Sequence, residues 1–81
     1  MIVRSLFFAS YRDLAGAGEL AVELPPGASV RELVAHLRRP GAGLERLPEE
    51  PAVAVNMTYS PLDTPLGDGD EVAFIPPVAG G

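Results

Sequence analysis

At 81 residues the chain holds one domain with a small core and no deep substrate pocket of its own. Apolar content of 47% and charged content of 21% are those of a globular protein and exclude disorder, even with nine Gly and nine Pro. A net charge of −5 argues against nucleic acid and fits a partner with a basic site, while the absence of cysteine excludes disulfides, thiolate metal sites and Cys nucleophiles.

All six basic residues are arginine. With no lysine, no side chain here can accept an isopeptide bond. The opening MIVRSLFF is apolar but short, and Arg4 interrupts it. It predicts neither a signal peptide nor a membrane span, so a cytoplasmic protein is expected.

Residues 2–9, IVRSLFFA, read as a strand. Val3, Ser5 and Phe7 share one parity, while Ile2, Arg4, Leu6 and Phe8 share the other. Arg4 turns the second set away from the core. Residues 11–18 read as a short irregular or helical connection with a turn at Gly16-Ala17-Gly18. ELAVEL at 19–24 alternates cleanly, with Leu20, Val22 and Leu24 inward and Glu19, Ala21 and Glu23 outward. Pro25-Pro26-Gly27 ends this strand.

Ser29 with Glu32 three residues later predicts a capping box. Val30, Leu33, Val34 and Leu37 then form the single apolar stripe of an amphipathic helix. Arg38 and Arg39 favour its C-terminal dipole, and Pro40-Gly41 stops it. Residues 40–51 read as a Pro-, Gly- and Glu-rich loop. AVAVNMTY at 52–59 reads as one strand region, with Val53 and Val55 on one face. Pro61 and Pro65 keep the next stretch irregular, and Asp68-Gly69-Asp70 reads as a hairpin turn. EVAFI at 71–75 is the last strand, with Val72 and Phe74 inward.

The predicted order is strand, strand, helix, strand, strand. Two strands pair antiparallel, and the helix crosses over toward a parallel neighbour. This predicts an α+β roll of the ubiquitin-like β-grasp type, a mixed sheet with one main helix on one face. The domain spans residues 1–75, and residues 76–81 form a flexible C-terminal tail.

One helix covers one face of a sheet. Adjacent strand residues point to opposite faces, so Phe7 and Phe8 cannot both be inside, nor can Phe74 and Ile75. Leu6, Phe8 and Ile75, with Tyr59, are expected on the uncovered face as a partner surface.

After Ile75 the chain reads Pro76-Pro77-Val78-Ala79-Gly80-Gly81. The prolines cannot extend a strand ladder and stiffen the exit. Beyond them the side chains shrink to nothing, so the segment can thread a narrow channel into another protein's active site. A terminal carboxylate is a poor electrophile until adenylation makes it a mixed anhydride open to sulfur or nitrogen nucleophiles. No phosphate loop is recognisable, so a second protein must perform that step.

Three other signals carry little. Gly16, Gly18 and Ala21 fit a loose GxGxxA pattern, but it precedes a strand instead of opening a helix. His36 lies on the helix's polar side without ligand-spaced partners. Asp68 and Asp70 lack the further oxygens that calcium requires. No metal site is expected.

The run DGDEVAFIPPVAGG at 68–81 resembles the small, sulfur-carrier subunit of molybdopterin synthase, the MoaD family. So do LFFASYRDLAG at 6–16 and AVN at 54–56. The resemblance implies a β-grasp fold and a cycle of charging and discharge. An activating enzyme of the MoeB type uses ATP to adenylate Gly81, and a sulfurtransferase system converts it to a thiocarboxylate. The tail, with Val78, Ala79 and Gly80, then enters the large synthase subunit, of the MoaE type. There sulfur passes to cyclic pyranopterin monophosphate. Catalytic acids and bases would sit on that large subunit, in a complex of two small and two large chains, and no cofactor would stay bound here. Phe8, Tyr59 and Ile75 are implied as partner contacts, joining Leu6 on the face expected from parity, with Arg12 near the partner surface. Related carriers for thiamine or tRNA thiolation, protein modifiers, and a β-grasp interaction module with an inert tail remain as alternatives.

Overall fold

A computed structural model describes residues 1–77. It contains β1 (Ile2–Phe7), α1 (Ala9–Ala15), β2 (Glu19–Glu23), α2 (Val30–Leu37), β3 (Ala52–Val55), β4 (Thr58–Ser60) and β5 (Glu71–Ile75). The five strands form one mixed sheet in the order β2-β1-β5-β3-β4. β1 pairs antiparallel with β2 and parallel with β5, and β3 pairs antiparallel with β5 and β4. The β-grasp expectation stands.

The predicted parities hold. Val3, Phe7, Val22, Val53, Val72 and Phe74 point to one face and meet Val30, Leu33, Val34 and Leu37 of α2. Ser29 caps this helix, its Oγ accepting from the Glu32 amide at 3.4 Å. Only half of the predicted box forms: the Glu32 carboxylate faces the Ser29 hydroxyl, not its backbone amide. The first two donors of the helix find partners in the irregular 61–66 stretch, where Val30 N–H donates to Thr64 O and Arg31 N–H to Leu62 O. That satisfies groups which a helix start otherwise leaves orphaned.

Four expectations need correction. First, β1 ends at Phe7, not at residue 9. Phe8 is the N-cap of α1, and Ala9 takes a left-handed φ of 49° that turns the chain off the sheet. The connection predicted as irregular or helical is a helix, closed by Gly16 with φ 73°. Second, 52–59 is not one strand. Asn56 and Met57 both have positive φ, 48° and 71°, and make a two-residue hairpin loop between β3 and β4. Such a turn normally carries Asn-Gly, and methionine at its second position hid it.

Third, the strand after α2 is not the parallel neighbour. β3 runs parallel to β2 but lies three places away, and the parallel contact is β1 with β5. Fourth, Asp68-Gly69-Asp70 is not a hairpin. It clamps the start of β1: Asp68 Oδ1 accepts from Ile2 N–H at 2.7 Å, and Gly69 N–H donates to Ile2 O at 2.8 Å.

Several core residues escaped the sequence reading, among them Tyr11, Ala28 and Leu66. Leu44 and Leu47, in the loop after α2, are buried. Arg38 holds that loop, with Nε donating to Leu47 O at 2.6 Å. Ser5 is also buried, and its hydroxyl has no hydrogen-bond partner among the described residues.

Candidate docking face and tail exit

Among the described residues, the face of the sheet opposite α2 carries no helix. Its middle row can be read directly from the register. Leu6 pairs with Ala73, Ala73 with Ala54, and Ala54 with Tyr59. The next row contains Ile75 opposite Ala52. One step beyond the Phe7–Phe74 pair, Phe8 and Ile75 follow on the two paired segments. Small alanines therefore form a low apolar floor, with larger side chains around it.

The exposures agree with a surface waiting for a partner. Phe8 is 49% exposed and Tyr59 72%, while Leu6 and Ile75 are half-buried. Isolated apolar residues on a surface are ordinary, but a contiguous row of this kind is the mark of an interaction site. The structure thus brings together four predicted site residues, Leu6, Phe8, Tyr59 and Ile75. The alanine floor had no signal beyond its parity.

Toward β2 and the start of β5 this face is charged. Arg4 makes a two-pronged ion pair with Glu19, Nε to Oε2 and Nη2 to Oε1 both at 3.1 Å, and its Nη1 lies 3.6 Å from Glu71. The hydrogen bond from Arg4 holds the Glu19 carboxyl below its ordinary range. Two glutamates share one arginine, so this region keeps a net negative charge.

Arg12 was predicted near the partner surface. It lies on α1, exposed, with its side chain over Gly18. Phe7 N–H donates to Gly18 O at 2.9 Å, which fixes Gly18 beside the C-terminal end of β1. Arg12 therefore sits at the end of the sheet where β5 also finishes. No ion pair engages it among the described residues.

β5 is the central strand, so the chain leaves the sheet from its middle at Ile75 and continues into Pro76-Pro77. The exit is thus bounded by Phe8 and Ile75, with Arg12 at the same sheet end. Val78, Ala79, Gly80 and Gly81, the predicted working segment, lie outside the described residues.

Asn56 was missed as a positioning residue. Its Oδ1 accepts from Glu71 N–H at 3.0 Å, and its Nδ2 donates to Asp70 Oδ1 at 3.0 Å. The β3–β4 hairpin is thereby tied to the start of the exit strand. Asp70 Oδ2 also accepts from Gly67 N–H at 2.7 Å, and this bond, followed by that from Asn56, lowers the Asp70 carboxyl below its usual value. His36, predicted as a solvated helix residue, is instead half-buried in the wall of a groove beside β2.

A family model described as the ThiS family matches residues 5–81. The chain belongs to the ThiS family. Among curated relatives, the molybdopterin synthase sulfur carrier subunit of Escherichia coli is 42% identical over 83 residues, covering 99% of this chain and all of the relative. Among solved structures, a protein–protein complex of subunits 1 and 2 of molybdopterin-converting factor from Helicobacter pylori contains a similar chain. It has 30% identity and a TM-score of 0.70, with full coverage of both chains. The small archaeal modifier protein 1 of Methanosarcina acetivorans is also similar, with 26% identity, a TM-score of 0.78, and coverage of 99% of this ThiS-family chain and 96% of that one. No helix among the described residues is long and apolar enough to cross a membrane.

Proposed function

We propose that this chain is the sulfur-carrier subunit of a molybdopterin synthase. The observation that carries this reading is the end-to-end similarity to a subunit of that name at 42% identity. The apolar face around the tail exit supports it, because a carrier must dock before its tail can deliver.

On this reading a MoeB-type enzyme spends ATP to convert the Gly81 carboxylate into an acyl-adenylate, releasing pyrophosphate. A sulfur donor then displaces AMP, and Gly81 is left as a thiocarboxylate. ATP is a substrate of that enzyme, and no cofactor resides on the carrier. The charged carrier docks Leu6, Phe8, Tyr59 and Ile75 on a MoaE-type large subunit, in a complex of two small and two large chains. Val78, Ala79 and Gly80 thread into that subunit, which supplies the catalytic acids and bases. Sulfur passes to cyclic pyranopterin monophosphate, and Gly81 returns to a carboxylate. Arg12 provides a cation for the partner beside the exit. The cycle runs in the cytoplasm.

Mixing the thiocarboxylated protein with the large subunit and the pterin precursor tests the reading. Molybdopterin should form in proportion to the charged carrier. Failure to form it, with a carrier that is fully charged, overturns this choice of acceptor. The likeness to a small archaeal modifier protein favours one second reading, in which the activated Gly81 is transferred to amines of other proteins.

A further inference from the structure

A groove among the described residues lies away from the docking face. It has a volume of about 670 Å³ and runs along β2 on the helix side. Leu20, Leu37 and Leu44 line it, with His36 and Arg39 on one wall and Glu23 on the lip. Beside it β2 is an outer strand of the sheet, hydrogen-bonded to β1 alone.

The ladder tells which groups of β2 are unused. Leu24 N–H donates to Met1 O and Gly18 O accepts from Phe7 N–H, so the even positions 18, 20, 22 and 24 face β1. The backbone groups of Glu19, Ala21 and Glu23 consequently point outward, away from the sheet. An open edge with free donors and acceptors is a template for another strand. A strand added here would alternate its side chains. One set would drop into the groove beside Leu20 and Leu37. The other would stand on the open face beside Glu19 and Glu23.

Charge decides the occupant. In an antiparallel pair of two copies centred on Ala21, Glu19 of each copy would oppose Glu23 of the other. Like charges directly opposite are destabilising. Glu19 is already held by Arg4, but Glu23 has no ion-pair partner among the described residues, and the whole chain carries −5. The edge therefore rejects a second copy and favours a strand with cations at alternate positions.

We propose that the β2 edge and its groove form a second docking site, which takes an extended segment of a partner protein alternating apolar and basic side chains. The apolar residues fill the groove and the basic residues face Glu19 and Glu23. The groove lies on the opposite side of the sheet from Phe8 and Ile75, so the tail stays free to work while the partner is held.

The test uses the full chain and a fluorescein-labelled peptide, Ser-Val-Arg-Val-Arg-Val-Ser, read by anisotropy and by amide NMR shifts. Saturable binding is expected, with shifts centred on Glu19, Ala21 and Glu23. Ala21→Pro removes an outward donor without touching the β1 ladder, and about a ten-fold loss of affinity is expected. Ala42→Trp, on the exposed rim of the groove, should weaken binding with the fold intact by NMR. Glu23→Arg should weaken the arginine peptide and strengthen one with glutamate in place of arginine. Phe8→Glu should bind the peptide as the parent does, which keeps this site distinct from the carrier reading. Absence of saturable binding, shifts on the Phe8 face, self-association of the chain through β2, or equal affinity in Ala21→Pro would each overturn the proposal.

Discussion

Phe7 and Phe74 stack across the parallel β1–β5 pair, with ring centroids 5.3 Å apart and planes inclined by 17°. This buried contact aims their chain neighbours outward. Phe8 and Ile75 flank the tail exit because Phe7 and Phe74 are held inside. Replacing Phe74 with alanine should therefore cost about 3–5 kcal/mol, a large share of the stability of a domain this small. Thermal unfolding followed by circular dichroism would show a large fall in midpoint or loss of the cooperative transition. An unchanged midpoint would contradict the packing described.

Phe8 sits on the other side of that division. It is 49% exposed and contributes little to the core. Phe8→Glu should leave the unfolding midpoint nearly unchanged while weakening large-subunit binding at least ten-fold, about 1.4 kcal/mol. Calorimetric titration of the variant against the large subunit measures this. An unfolded variant would mean that Phe8 belongs to the core.

Acid should loosen the anchor of the exit strand. The folded-state Asp70 carboxyl lies below its ordinary value of 3.8, chiefly through the Gly67 amide and then Asn56. A depressed carboxyl binds fewer protons folded than unfolded, so its contribution is present above the ordinary value and is lost as pH falls through the lowered one. Asp70→Asn should thus unfold at lower urea than the parent at neutral pH, and the two midpoints should converge in strong acid. A constant gap across that range would exclude the mechanism.

Much of this was legible in the sequence because one period governs each element. Val3-Ser5-Phe7, Leu20-Val22-Leu24 and Val72-Phe74 alternate, and Val30 to Leu37 repeats at helical spacing. Those patterns fixed the faces, and the faces placed Leu6, Phe8, Tyr59 and Ile75 together. What escaped was local backbone chemistry and long-range pairing. Ala9 and Met57 adopt positive φ with side chains that do not advertise it. Leu44 and Leu47 lie in a loop with no period. The Asn56 link to Asp70 and Glu71 joins residues 14 and 15 positions apart, which no window on a strand reveals.

The hairpin supplies a prediction of its own. Met57 is 89% exposed and has φ 71°, so its side chain gains little from packing while its backbone is strained. Met57→Gly should stabilise the fold by about 1 kcal/mol, less than the full left-handed penalty because glycine also frees the unfolded chain. Chemical denaturation measures the difference. A destabilised variant would show that the turn is not of this type.

On the proposed reading, sulfur rides on the carboxyl of Gly81. Incubation with a MoeB-type activating enzyme, ATP and a sulfur donor, followed by intact-mass measurement, tests it most directly. The expected shift equals the exchange of one oxygen for one sulfur and is abolished when Gly81 is removed. No shift, under conditions that charge an established carrier, would contradict it.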